Sequence, residues 1–367
     1  MLISRVSWVS LSLLLSVFGG YQSGASAQGT EALIVEESVA HPDFPGDIAF
    51  ALEAEIEGTV NSVDIVYQQA NLETLQLLPA EFEQNENSLS ADAVADLETY
   101  FVPVGIDLTF HWVITLEDGV VAETEDEVVT WVDDRFDWDR ADGTGIEIYS
   151  YDRSDEFVAE MLAIGSKSVV DLTELYRPTI TFPIRIWVYE SGDDYAGTLA
   201  ANSQDWSAGS AYPDLQVIQA VIPEDSDSEI LRVIPHEISH QILNLATLNP
   251  FNTPATWIDE GLAVVAQTGG KNFYRDVVLN AYETDELLSL RSLISSFPYH
   301  ASGARMAYAQ SYSVMEFVIS EYGEATIGTI VDAYAAGNSH ADVLMEALGM
   351  TIDELDQIWR SYLQTQR

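Results

Sequence analysis

The chain contains no cysteine. That excludes disulfides, cysteine-ligated zinc, thiol catalysis and a lipid-modified N-terminal cysteine. Positive charge is nearly as scarce: of 367 residues only 14 are Lys or Arg, against 60 Asp or Glu, for a net charge of -46. The lysines are Lys167 and Lys271 alone. Such a surface repels phosphates and has few cations to displace their counterions, so nucleic acid is excluded as a partner. Binding to anionic membranes is disfavoured for the same reason. There is no glycine-rich phosphate loop and no internal repeat. Past the first segment, no run is apolar enough to span a bilayer, so no stable membrane insertion is expected.

What is there is enough for a packed core, with 47% hydrophobic and 10% aromatic residues. An acidic disordered tail would carry far fewer. At about 100–200 residues per domain, the length predicts two domains. The acid excess has two readings, a solvated self-repelling surface and adaptation to high salt, where screening relieves the repulsion.

Residues 1–27 read as a signal peptide. Arg5 supplies a positive start, Val6 to Gly20 is a short apolar run, and Ala25-Ser26-Ala27 is a small-residue cleavage site. The mature chain then begins near Gln28, exported to the medium or the cell envelope; an uncleaved N-terminal anchor is the alternative.

Residues 28–140 are expected to form a β-sandwich-like domain. Ile48–Ile56, Val63–Tyr67, Leu108–Thr115 and Val128–Val132 read as strands, with Glu117-Asp118-Gly119 as a hairpin turn. Leu89–Tyr100 is acidic and less strand-like. Trp112, Trp131 and Trp138 are assigned to the core of this domain. Asp137, Asp139 and Asp142 do not fit a calcium loop. The charged run Asp133–Arg140 and the turn cluster Asp142–Gly145 mark the boundary.

From residue 146 to 367 the pattern is that of an α+β domain, strands first and helices after. Ile146–Tyr151, Ile180–Tyr189 and Gln216–Ile222 read as strands, Pro183 suggesting an edge for the second. Asp155–Tyr176 has helical spacing, and nearly everything after Ser226 reads as helix.

The chemistry lies in His236-Glu237-Ile238-Ser239-His240. Helix positions four apart share a face, so His236 and His240 can offer two imidazoles to one metal ion, with Glu237 in reach of a water on it. Apolar neighbours make two unrelated surface histidines a poor account of the motif. Downstream, Asn249–Pro254 can reverse the chain. A second helix through Trp257-Ile258-Asp259-Glu260-Gly261-Leu262-Ala263 would then run back and present Glu260. Two His, one Glu and an open position describe a catalytic rather than a structural zinc site.

The His-Glu-x-x-His segment with its downstream Trp-x-x-Glu-Gly-Leu-Ala resembles the gluzincin metallopeptidases, specifically the peptidase MA-like family of exported bacterial type. The resemblance covers about residues 146–365 and extends, more loosely, to Ala307–Ser313 and Leu348–Trp359. It implies a zincin-type domain, a small sheet plus active-site helix and then a mostly helical part. It implies one Zn²⁺ per chain held by His236, His240 and Glu260, Glu237 as catalytic base, and a peptide or protein substrate. An oxyanion donor is also needed. Tyr308 is the choice by resemblance; Tyr312 lies one turn on, and His300 is a further donor. Gln216–Ile222 is the expected edge strand for substrate. The rival reading is a metal-bearing adhesin that binds through the front domain.

Two departures stand out. Pro235 precedes the first ligand, so the helix either starts there or bends. Val264 stands four residues after Glu260, where thermolysin-like enzymes carry an Asp that orients a ligand histidine. Asp259 is a candidate for part of that support. The acids Glu224, Asp225, Asp227, Glu229 and Asp259 cluster near the motif, which would favour cationic substrates.

Overall fold

The structure is a computed structural model that describes residues 4–5, 33–70, 74–97, 102–198, 208–224, 226–298 and 300–366. Apart from Ser4–Arg5, a two-residue strand (β1), the expected signal peptide lies outside the described residues. The chain forms two compact units that divide between Asp137 and Trp138.

The front unit is a β-sandwich. One sheet runs β2 (Ile34–Asp43), β3 (Asp47–Glu55), β7 (Ser88–Asp96), β6 (Glu81–Asn85). The other runs β10 (Glu127–Thr130), β8 (Asp107–Leu116), β4 (Val60–Gln69), β5 (Gln76–Pro79), with β9 (Val121–Glu123) also on β8. Alternate residues of β3 and β8 are buried, as period-two strands with one face inward require. Phe50 of β3 meets Phe110 of β8 at 5.1 Å between ring centroids, so the two inner faces interdigitate. The acidic stretch from Leu89 is corrected here. It is an interior strand, with Leu89, Ala91, Ala93 and Ala95 inward and Asp92 and Asp96 outward. Its small inward residues carry too weak an apolar signal to read as a strand.

Trp112 and Trp131 are buried in this unit as expected. Trp138 is not part of it. Its ring makes edge contacts with Tyr151, Trp187 and Tyr189 at 5.1, 4.8 and 5.1 Å, all in the second unit.

The second unit begins with a mixed sheet in the order β11 (Asp139–Asp142), β12 (Ile146–Ser150), β13 (Ile184–Tyr189), β15 (Val217–Val221), β14 (Gly209–Tyr212). β12, β13 and β15 are parallel; β11 and β14 are antiparallel to their neighbours. Ile146, Ile148, Ile184, Ile186, Val188, Ile218 and Ala220 join one hydrophobic core with helices α1 (Asp155–Tyr176) and α3 (Asp227–Thr247). Two expectations change. Pro183 lies just before β13, where its missing N–H costs the ladder nothing, and β13 is interior. β15 is also interior; among the described residues the strand that ends the sheet on this side is β14, which the sequence pattern did not disclose.

Helix α1 starts where expected because Ser154 accepts the Phe157 N–H, and it ends at Arg177 in the left-handed conformation. Beyond α3 follow α4 (Thr256–Ala266), α5 (Lys271–Thr284), α6 (Ala301–Tyr322), α7 (Ala325–Ala335), α8 (His340–Leu348) and α9 (Ile352–Leu363). Among the described residues no helix is long and apolar enough to cross a membrane.

Candidate metal centre

Helix α3 buries Ile230, Val233, Ile234, Ile238 and Ile242 at helical spacing, which fixes its rotation. His236 and His240, four residues apart, then share one flank of that buried side, with the buried Glu237 between them and Ile230. The helix begins at Asp227 and passes through Pro235 without ending, so it does not start at the proline. Proline removes one helical N–H and would leave the carbonyl of Leu231 unpaired. Thr268 fills that vacancy, its backbone N–H and its hydroxyl donating to Leu231 O at 3.0 and 3.2 Å.

The chain reverses after α3 through a loop organised by Asn249. Its side-chain oxygen accepts the N–H groups of Phe251 and Asn252, and its amide donates to Tyr334 O at 3.0 Å. Trp257, fully buried, anchors the start of α4 and donates to His340 Nε2 at 3.4 Å. Glu260 is thereby delivered to the two histidines. On its other flank α4 packs against α6 at Gly261, where a β-carbon would lie 2.6 Å from Met315 Cγ and 2.7 Å from Ser311 O. That close approach lets Tyr308 Oη donate to Glu260 Oε1 at 3.1 Å.

Three donor atoms meet at one point. His236 Nε2 and His240 Nε2 are 3.3 Å apart, and each is 3.4 Å from Glu260 Oε2. Zinc held at about 2.0–2.1 Å by tetrahedral N and O ligands sets neighbouring donors about 3.4 Å apart. The donor set therefore fits a zinc ion. Glu260 Oε2 is buried and finds no hydrogen-bond donor beyond those imidazole nitrogens. Among the described residues this is the one group of His, Asp or Glu arranged to hold a metal.

The electrostatics agree. Burial disfavours charge on His240, but Asp259 and Glu260 outweigh it and raise its pKa well above the ordinary value. A divalent cation can take the place of that proton. His240 Nδ1 lies 2.7 Å from Asp259 Oδ1; a carboxylate only accepts, so Nδ1 carries the hydrogen and Nε2 offers its lone pair. Glu237 is buried, and burial raises its pKa against the pull of His236 and His240. Burial, with Glu260 and Glu237 close by, keeps the Tyr308 phenol protonated and hence a donor.

The structure thus brings together His236, His240, Glu260, Glu237, Tyr308 and Asp259. Tyr312 is not among them; it is buried and donates to Glu316. His300 stands exposed at the start of α6. The nearby acids are largely engaged: Glu224 accepts the Ser154 N–H, and Glu229 pairs with Arg232. Asp225 lies outside the described residues.

Sequence reasoning missed two residues. Gly209 of β14 lies against Glu237, and its only signal is a glycine in a strand. Gln267, just past α4 and nearly fully buried, places its amide 3.0 Å from His236 Nδ1.

Over residues 164–365 the chain matches the family described as the peptidase MA superfamily. No curated protein matches it. Among solved structures it is similar to an M1 zinc metallopeptidase from Deinococcus radiodurans, at 12% identity over 90% of this chain and 94% of that one, TM-score 0.37. A point mutant of that enzyme aligns at 11% identity over 90% and 95%, TM-score 0.40. A crystal structure titled BhCBM56 is similar at 12% identity, over 25% of this chain and 88% of that one, TM-score 0.19.

Proposed function

The chain belongs to the peptidase MA superfamily, and from that premise we propose that it is a zinc-dependent peptidase with Glu237 as general base. The observation that carries this reading is the mutual 3.3–3.4 Å spacing of His236 Nε2, His240 Nε2 and Glu260 Oε2, beside a buried carboxylate on the same helix. Zinc held by His236, His240 and Glu260 would supply Lewis-acid polarisation and a water acidic enough to react near neutral pH.

The protein's own groups do the rest. Asp259 holds His240 in the tautomer whose Nε2 faces the centre. Glu237 accepts a proton from the attacking water and hands it to the departing amine nitrogen; its raised pKa brings it nearer the working pH. Tyr308 donates to Glu260 in this structure, and the same hydroxyl stands ready to donate to the substrate's carbonyl oxygen as charge builds there. The substrate backbone adds along β14, the last strand of this sheet among the described residues, since β15 is covered on both sides. Residues 1–27 direct export. A base beside the metal serves hydrolysis and would serve no purpose in a pure binding site, which favours the peptidase over the adhesin.

A peptide-library digest with purified mature protein and Glu237→Gln, alongside metal analysis, tests the reading. The variant should keep about one zinc per chain and lose about 10²–10⁴-fold in kcat. Identical digests from the two proteins would remove the activity, and a metal-free wild type would remove the site.

A further inference from the structure

With Val264 in the place of the usual supporting Asp, something else must orient His236. Gln267 lies two helical turns beyond Glu260, just after α4 ends at Ala266, with its amide 3.0 Å from His236 Nδ1. Its neighbour Thr268 is pinned by two hydrogen bonds to Leu231 O. That carbonyl is open to Thr268 because Pro235, one turn further along α3, has no N–H to donate to it. Lys271 adds a third tie, its ammonium donating to Val265 O at 2.6 Å.

We infer that Gln267 is the positioning residue for the zinc ligand His236, and that Pro235 holds it in place by freeing the Leu231 carbonyl for Thr268. The inference rests on the zinc reading of the site.

A carboxamide suits this place because it can turn over. With its amide nitrogen on Nδ1, Gln267 Oε1 is buried without a partner. A half-turn about the last side-chain torsion exchanges Oε1 and Nε2 and so brings Oε1 onto Nδ1. Nδ1 then carries the hydrogen, Oε1 accepts it, and Nε2 turns its lone pair to the metal. In this arrangement the ring hydrogen sits on Nδ1 rather than on Nε2. Asp259, which only accepts, allows His240 just the second arrangement. Pro235 thus acts on the metal site through Thr268 and Gln267. The hydrogen bond it costs the helix is replaced by the two bonds from Thr268.

The test is zinc affinity of the full mature chain, read by competition with a chromophoric chelator, for wild type, Gln267→Leu, Gln267→Glu and Pro235→Ala. Far-UV circular dichroism and thermal midpoints of the metal-free proteins serve as the folding control. Gln267→Leu should weaken zinc binding about 10–100-fold and shift the visible spectrum of the cobalt-substituted protein. Gln267→Glu, which keeps an acceptor on Nδ1, should restore binding to within a few-fold of wild type. Pro235→Ala gives back the N–H that competes with Thr268, so it should weaken zinc while the metal-free midpoint stays level or rises. Gln267→Leu with wild-type affinity and an unchanged cobalt spectrum would overturn the positioning role. Should that variant not fold, Pro235→Ala with wild-type affinity would overturn the docking on which the role depends. A wild type that takes up no zinc fails the peptidase reading itself; a zinc-loaded wild type matched by Gln267→Leu fails this inference alone.

Discussion

Gly209 and Glu237 share one space: a β-carbon on Gly209 would lie 2.6 Å from Glu237 Oε1, 2.9 Å from Cδ and 3.0 Å from Cγ. β14 and the proposed general base are therefore packed side by side, with the carboxylate lying against the glycine backbone. A substrate strand added to β14, as proposed, would pass the Glu237 carboxylate. The glycine is thus a requirement of close approach, not of backbone conformation.

Gly209→Ala should displace the Glu237 side chain as a whole, because the clash involves three of its atoms. We expect kcat to fall about tenfold to a hundredfold, as misplacement of a reacting group by about 1 Å does. Zinc affinity should not change, since the three atoms a β-carbon would press on all belong to Glu237. Steady-state kinetics with chelator competition checks both; an unchanged kcat would show that Glu237 works from another position.

Gly261→Ala meets firmer resistance. Its β-carbon would press on the Ser311 carbonyl, which is backbone and cannot swing aside. Forcing α4 and α6 apart should cost about 1–3 kcal/mol and stretch the Tyr308–Glu260 bond. Urea denaturation of the metal-free protein measures the first effect, and zinc competition the second. Wild-type stability would mean that the two helices slide without loss.

His340 makes stability fall in mild acid. Burial lowers its pKa from 6.5 to about 4, and it is held between Trp257 Nε1 and the Tyr334 hydroxyl. The unfolded chain takes up a proton below about pH 6.5, whereas the folded chain resists until about pH 4. The stability from a neutral His340 is therefore whole above pH 6.5 and is lost as pH drops toward 4. The full shift corresponds to about 3 kcal/mol, and partial exposure reduces it. His340→Gln should be less stable than wild type at pH 7.5, with the difference narrowing toward pH 4.5. Denaturation curves at the two pH values decide this; a gap that stays constant would remove His340 as the source.

The pairing of His236 with His240 was legible because both lie on one helix, where spacing alone sets direction. Glu260 was legible through Asn249–Pro254, a short reversal between two helices. The bounds of α1 could be read in the same way, from the Ser154 cap and the apolar period up to Tyr176. Asp259 stood in view, but its part was settled by the 2.7 Å contact with His240 across two helices. β14 could not be read: Gly209-Ser210-Ala211-Tyr212 has neither alternation nor length. Strand order is a matter of which distant segments pair, so the chain pattern made β15 the edge when β14 covers it.

What this sequence determined by itself is thus local: a helix with two imidazoles and a carboxylate, a returning helix with a third donor, and a charge balance that argues against nucleic acid. The tertiary structure alone decided which strand is the edge, that Gly209 makes room for Glu237, and that Gln267 reaches His236. The physical reason is the range of each interaction. Helical periodicity acts over a few residues, whereas hydrogen bonds to the carbonyl that Pro235 leaves free, and packing against an absent β-carbon, depend on segments far apart in the chain. Those are joined by burial of the common core, and no sequence spacing records it.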